Sequence, residues 1–180
     1  MKDLSMHIMD ILQNSTRAKA KNITLEVSED YSTDTLTLVF KDDGCGMSEE
    51  MVKNVINPFF TTRTTRKVGL GLPLLKQNAE MTNGSLNIIS KEGEGTIVTA
   101  VFGLTHIDRP PMGDLAGTMV LTVAAHPEIH FVFHFVRSNS KRDVDYILDT
   151  TELYEALDGV SLQEPEVMNY IKEMIEENIQ

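Results

Sequence analysis

The six residues Asp42-Asp43-Gly44-Cys45-Gly46-Met47 decide how the rest of the chain is read. They follow Leu36-Thr37-Leu38-Val39-Phe40, whose apolar side chains fill both faces as in a buried strand. The strand closes on a carboxylate and then on two glycines one residue apart. Gly44 and Gly46 can take positive φ and let a flat ligand approach bare backbone. Asp42, when ionised, is purely a hydrogen-bond acceptor. An acceptor at the end of an apolar slot suits a purine that carries an exocyclic amino group. Taken alone, Asp-Asp-Gly after a strand is an ordinary turn, so the flanking stretches decide.

Upstream, residues 3–21 read as an amphipathic helix with Leu4, Ile8, Ile11, Leu12, Ser15 and Ala18 toward the core. His7, Asp10, Asn14 and Arg17 recur at three- and four-residue steps and form one polar stripe. Asp10 offers a carboxylate to orient water, Asn14 an amide oxygen for a hard metal, and Arg17 a guanidinium for phosphate. A solvated helix face would show the same residue types. Ile23 to Val27 alternates like a half-buried strand and forms a hairpin with 36–41 across the turn at 31–35.

Downstream, Ser48 caps a short helix that runs to about Val55, with Glu49 and Glu50 at its positive end. Asn57 to Val68 has no period and pairs two aromatics with hydroxyls and three cations. A flap over phosphates fits, with Phe59 or Phe60 as apolar anchor and Arg63, Arg66 and Lys67 as charge partners. A plain surface loop is the alternative. Gly69-Leu70-Gly71-Leu72-Pro73 then opens a helix to about Met81, and a glycine pair feeding a helix N-terminus can hold an anion. Asn83-Gly84 ends that helix. Strands 85–90 and 95–102 follow, joined by the turn Lys91-Glu92-Gly93-Glu94.

In this order the boxes resemble those of the GHKL superfamily: DNA gyrase, heat-shock chaperones, histidine kinases and mismatch-repair ATPases. The histidine kinase-like ATP-binding domain is nearest. Asp10 to Ser15 is similar to its asparagine box, Asp42 to Gly46 to its first glycine box, and Asn57 to Thr62 to its phenylalanine box. Gly69 to Leu72 is similar to the second glycine box, and Gly93 to Thr96 to the last. The resemblance covers roughly residues 4–103. It implies a two-layer α/β sandwich, a mixed sheet covered by helices, with ATP bound between the layers. By resemblance Asp42 meets the adenine amino group, Thr96 lies near adenine through water, and Gly44, Gly46 and Met47 shape the purine slot. Asn14 would hold Mg²⁺ and Arg17 contact a phosphate. Phe59, Thr62, Lys67, Gly69, Leu70, Gly71 and Leu72 complete the ATP-binding set, and Asp10 and Asn14 are the catalytic pair.

Three departures qualify the pattern. Lys67 stands where the second glycine box usually has a further glycine. Asp10 stands where hydrolysing members often carry Glu, one methylene longer, so turnover is expected to be slow. Only nine residues precede Asp10, too few for the phosphoacceptor helix of a complete histidine kinase. The phosphoacceptor is therefore expected on another chain, which makes the module a protein kinase acting on a partner. A slow ATPase, a nucleotide-gated clamp and a regulatory binding module are the alternatives, and homodimerisation is left open.

Residues 105–180 lie outside the resemblance. The chain carries a formal charge of −11, and about −9 of it falls in this last part. Such acidity disfavours nucleic acid or anionic lipid as partner. Its single cysteine, Cys45, and the absence of a continuous apolar run at its start suggest a cytoplasmic setting. The expected organisation is an ATP-binding domain over 1–104, a linker over 105–117 and a small α+β extension over 118–180. In that extension Gly117 to Ala125, Ile129 to Arg137 and Tyr146 to Leu148 read as strands. Thr151 to Leu157 and Pro165 to Ile179 read as helices. His126, His130 and His134 recur at four-residue spacing, but the alternation of Phe131, Phe133 and Phe135 favours a strand over a helical metal site.

Overall fold

A computed structural model describes residues 2–57, 59 and 70–180. The first helix, α1 (Leu4–Arg17), starts on Asp3, whose carboxylate accepts from the Met6 amide. It buries Leu4, Ile8, Ile11, Leu12 and Ser15, as the spacing predicts, and also His7 of the polar stripe. β1 (Asn22–Asp30) and β2 (Thr35–Asp42) form the expected antiparallel hairpin. Ser48 caps α2 (Glu49–Val55), and α3 (Gly71–Met81) leads into the antiparallel pair β3 (Ser85–Lys91) and β4 (Gly95–Gly103).

Beyond Gly103 the order is α4 (Leu115–Ala125), β5 (His130–Ser138), β6 (Val144–Asp149), α5 (Thr150–Leu157) and α6 (Pro165–Ile179). The expected strand over 117–125 is therefore a helix, and the last part holds two strands and three helices. The reason is that the segment is apolar on every face, the exposed one at Leu121 included. α4 lies between α1 and α6 and hides Leu115, Ala116, Met119, Val120, Val123 and Ala124. A helix apolar all round shows no 3.6-residue stripe, and its β-branched residues mimic a strand. The start signal was Asp114, whose side chain accepts from the Gly117 amide at 2.9 Å. Thr122 pays no burial penalty because its hydroxyl donates to the Thr118 carbonyl at 2.8 Å.

The six strands of the described residues join one sheet in the order β3-β4-β2-β1-β5-β6, in which only the β1–β5 pair is parallel. The helices α3, α1, α4 and α6 are neighbours in that sequence. Ile23, Leu25, Leu38, Phe40, Phe102, Phe131 and Phe133 share one hydrophobic cluster with Ile8, Leu12, Met119 and Ile175. The phenylalanines of β5 point into it, as their alternation predicts. His130 and His134 do not gather a metal. They pair instead with Asp149 at 2.9 Å and Asp145 at 2.7 Å, and no metal-ligating cluster occurs among the described residues. No described helix is long and apolar enough to cross a membrane.

Residues 105–114 run back over α1: the Pro111 and Met112 carbonyls accept from the Leu4 and Ser5 amides at 2.9 and 2.8 Å. Two of the amides that a helix start leaves unpaired are thereby satisfied. At the end of β1, Asp30 ties the β1–β2 turn to the β5–β6 connection, accepting from Asn139 Nδ2 at 3.0 Å and from the Ser32 amide and hydroxyl.

Two predictions test this arrangement. On a strand, residues 119 and 121 would share a face; on α4 they do not. Met119 is 1 % exposed and Leu121 55 %. Chemical denaturation of Met119→Ala is expected to show a loss of about 2–5 kcal/mol, and Leu121→Ser a change within about 0.5 kcal/mol. The Asn139 amide, with Ser32, pulls the Asp30 carboxyl down to about 2. A depressed carboxyl stabilises the fold above its unfolded value and loses that effect as pH falls through the folded one. The stability gap between the wild type and Asp30→Ala should be full at neutral pH and close as pH drops from about 4 toward 2.

Candidate functional site

The closing residue of β2 sets the site. Asp42 Oδ2 accepts from Ser15 Oγ of α1 at 2.7 Å, and Oδ1 accepts from its own loop's Gly44 amide at 2.9 Å. The chain then passes between the end of α1 and the β3–β4 turn. The Cys45 amide donates to the Ala18 carbonyl at 2.9 Å, and the Gly93 amide to the Cys45 carbonyl at 2.8 Å. This threading leaves no room for side chains. A Cβ at Gly44 would press on Ala18, and one at Gly46, where φ is +68°, would overlap the Lys91 carbonyl.

Ser90 organises the other wall. Its hydroxyl accepts from the Met47 amide at 2.8 Å and donates to the Gly95 carbonyl at 3.0 Å. With that proton committed, Thr96 Oγ1, 2.8 Å away, is the donor to Ser90 and keeps its lone pairs for another partner. Thr96 stands directly across the ladder from Asp42. Strand pairing therefore brings together two residues 54 positions apart, both assigned to adenine by the resemblance.

Asp43 has a different role. It accepts from the Lys21 amide, the Asn22 amide and Asn22 Nδ2 at 2.8–2.9 Å. The Asn22 side chain and backbone hold its carboxyl below the usual range. It clamps the start of β1.

On α1, Asp10 and Asn14 lie one turn apart and are half-buried. Asp10 Oδ2 is buried with no partner among the described residues, and it rests against Gly71, the first residue of α3. A Cβ at Gly71 would overlap that carboxylate. The asparagine-box carboxylate and the second glycine box thus meet. The Asn14 side chain makes no hydrogen bond to a described residue, so its amide oxygen is available to a hard cation. Arg17 ends α1 and is exposed. Leu70 is 57 % exposed at the cap of α3, whereas Leu72 is buried in the core and offers only its backbone. Phe59 is 93 % exposed. Phe60, Thr62, Arg63, Arg66, Lys67 and Gly69 lie outside the described residues.

Two supporting residues escaped the sequence reading. Ser15 was read as core, and its burial is right, but a serine on a buried helix face also signals a polar partner. Ser90 carries no local signal, because its partners come from the loop 43 residues earlier and the strand after it.

Comparison with known proteins agrees with this geometry. Residues 2–106 match the model of the histidine kinase-, DNA gyrase B- and HSP90-like ATPase family. The sensor histidine kinase YvrG of Bacillus subtilis (strain 168) is 28 % identical over 97 residues, 52 % of this chain and 17 % of that protein. The sensor histidine kinase YxdK of the same organism is 31 % identical over 104 residues, 55 % of this chain and 32 % of that protein. The chain thus spans no more than about a third of either of these curated relatives. Among solved structures, the N-terminal domain of a DNA repair protein superposes with a TM-score of 0.55 at 12 % identity, covering 81 % of this chain and 53 % of that one. That coverage exceeds what residues 2–106 can contain, so the shared fold reaches into the last third. With more than half of its length matched, the chain belongs to the family of histidine kinase-, DNA gyrase B- and HSP90-like ATPases.

Proposed function

We propose that the chain binds Mg²⁺-ATP in the slot between α1 and the β2 loop and passes the γ-phosphoryl to a residue on a partner protein. The observation that carries this reading is the Asp42 carboxylate, fixed by Ser15 and Gly44 with acceptor capacity to spare, facing Thr96 across the ladder. The resemblance of the boxes and the family match support it. The sensor kinase relatives favour phosphoryl transfer as the use of the nucleotide.

The residues fit Mg²⁺. The amide oxygen of Asn14 is a hard donor without a described partner and would hold the ion, which supplies charge neutralisation on the phosphates when bound. This chain's own groups do the rest. Asp42 selects a ring with an amino donor, the bare backbone at Gly44 and Gly46 admits it closely, and the start of α3 directs unpaired amides at anionic oxygens. Asp10 is buried on one oxygen against Gly71, and in this reading it takes a proton from an attacking hydroxyl, imidazole or water. Because its side chain is short, hydrolysis without a partner is slow, and nucleotide binding can then act as a clamp.

Isotope-labelled ATP separates these uses. Label on a co-purified protein supports transfer, free phosphate alone supports an ATPase, and binding without turnover supports a regulatory module. Asp42→Asn turns one acceptor atom into a donor and should weaken ATP in calorimetry by roughly 2–3 kcal/mol. Retained wild-type affinity would remove Asp42 from the site. Asp10→Asn should abolish turnover with ATP affinity kept within about threefold. An unchanged rate would show that Asp10 takes no proton.

A further inference from the structure

A line of side chains runs from the loop after Asp42 into the last third of the chain. Asn22 Nδ2 donates to Asp43 Oδ2 at 2.8 Å, Asn22 Oδ1 lies 3.0 Å from His130 Nδ1, and His130 Nε2 lies 2.9 Å from Asp149 Oδ1. Asn22 opens β1, His130 opens β5, and the two are partners in the parallel ladder. Asp149 ends β6 and caps α5, where the same Oδ1 accepts from the Thr151 amide at 2.8 Å. His130 and Asp149 lie past residues 2–106, outside the family match.

The direction of each hydrogen bond follows from the two ends of this line, because an ionised carboxylate only accepts. The Asn22 side chain and backbone hold the Asp43 carboxyl below the usual range. At Asp149 burial pushes the carboxyl up, but the hydrogen bonds from His130 and Thr151 outweigh it and leave the carboxyl low. Both ends are therefore acceptors at neutral pH. Asn22 must turn Nδ2 to Asp43, which leaves Oδ1, another acceptor, for His130. His130 thus stands between two acceptors, and only a ring with protons on both nitrogens donates to both. Once one proton is lost, a lone pair faces a lone pair. The charge-assisted bond to Asp149 is the stronger, so Nδ1 is the nitrogen left bare toward Asn22. Asn22 cannot answer by turning over, since Oδ1 would then meet the Asp43 carboxylate. The charged groups on the adjoining chain are Lys21, whose carbonyl accepts from the His130 amide at 2.9 Å, Asp43, Asp149 and Glu152 in the first turn of α5. In the turn before β5, Glu128 pairs with His126 at 3.3 Å.

We propose that His130 is a positioning residue for the loop that carries Asp42: its doubly protonated ring orients Asn22, Asn22 holds Asp43, and loss of a ring proton loosens the loop and weakens nucleotide binding. This rests on the reading of Asp42 as the adenine acceptor. His130 acts through Asn22 and not on the nucleotide. The charged ring belongs to the braced loop, so the bracing is present on the acid side of the His130 titration and lost as pH rises through it. Asp43 keeps the Lys21 and Asn22 amides on its other oxygen, so the loop loosens without coming free.

The full chain labelled with ¹⁵N reports the link without nucleotide. Across the histidine range, roughly pH 5 to 8, the Asn22 side-chain amide and the Gly44 backbone amide should follow the His130 ring with one midpoint. In Asn22→Ala the Gly44 amide should stop following it. A Gly44 signal indifferent to the ring, or one that follows it unchanged in Asn22→Ala, overturns the proposal even if ATP binds. In calorimetry with Mg²⁺-ATP the affinity of the wild type relative to His130→Gln should fall about two- to threefold from the acid to the alkaline end. Taking the ratio cancels the nucleotide's own protonation. A ratio equal at both ends overturns the proposal. If His130→Gln does not fold, the same ratio against Asn22→Ala decides. Absence of any ATP binding, with Gly44 still following the ring through Asn22, defeats the nucleotide reading of Asp42 but leaves the link from His130 to the loop standing.

Discussion

The hydrogen bond from Ser15 Oγ to Asp42 Oδ2 is the constraint on which the site depends. It fastens the helix layer to the end of a central strand at the point where the chain must turn. Once Asp42 is held from α1, the loop after it has a fixed start, and the Cys45 amide and carbonyl fix its path between Ala18 and Gly93. The carboxylate is thus oriented before any ligand arrives. Binding then costs little ordering of the protein, which is where much of the affinity for a small planar group would otherwise be lost.

That fastening works only if α1 itself is immobile, and its position is set from both sides. α3 packs along one flank and α4 along the other. The sheet lies beneath, with Leu4, Ile8 and Leu12 fully buried on it. α4 belongs to the part of the chain past the family match, yet its Thr122 hydroxyl reaches Met9 of α1 at 3.7 Å. β5 pairs in parallel with β1 along its whole length, from Asn22–His130 to Asp30–Ser138. Residues after 106 therefore buttress the helix and strand that present the site.

What could be read from the sequence follows from where the determining forces lie. Elements whose partners are water on one side and core on the other carry their period openly. So the β1–β2 and β3–β4 hairpins, β5 and α6 fell where the pattern put them, as did the start of α1, which was read to residue 21 and ends at Arg17. Ser48 and the Asn83-Gly84 pair punctuate by local chemistry, and they too were legible. α4 was not, because a helix that is apolar even where it meets solvent, at Leu121, has no polar face to set its period. The burial of His7 was not legible for a related reason: it recurs with the polar stripe, whereas its partner Asn78 lies 71 residues away. The candidate site residues were named through resemblance rather than periodicity. Asp42, Asn14 and the glycines are recognised as boxes, while Ser15 and Ser90, which hold them, act through contacts that no spacing encodes.

Asp42 and Asp43 show why adjacent, chemically identical residues need the structure to be told apart. A carboxylate has about four lone-pair sites. Asp43 fills three of them with Lys21, Asn22 and the Asn22 side chain, all at the start of β1. Its negative charge is used up within the fold. Asp42 accepts two hydrogen bonds, one on each oxygen, and both come from groups that brace rather than saturate it. Each oxygen retains an open lone pair beside backbone stripped of side chains at Gly44 and Gly46. A neutral donor with a flat body can satisfy that remaining capacity, whereas a second anion would meet repulsion. The way two neighbouring carboxylates divide the hydrogen-bond donors around them leaves Asp42, and not Asp43, with acceptor capacity at the slot.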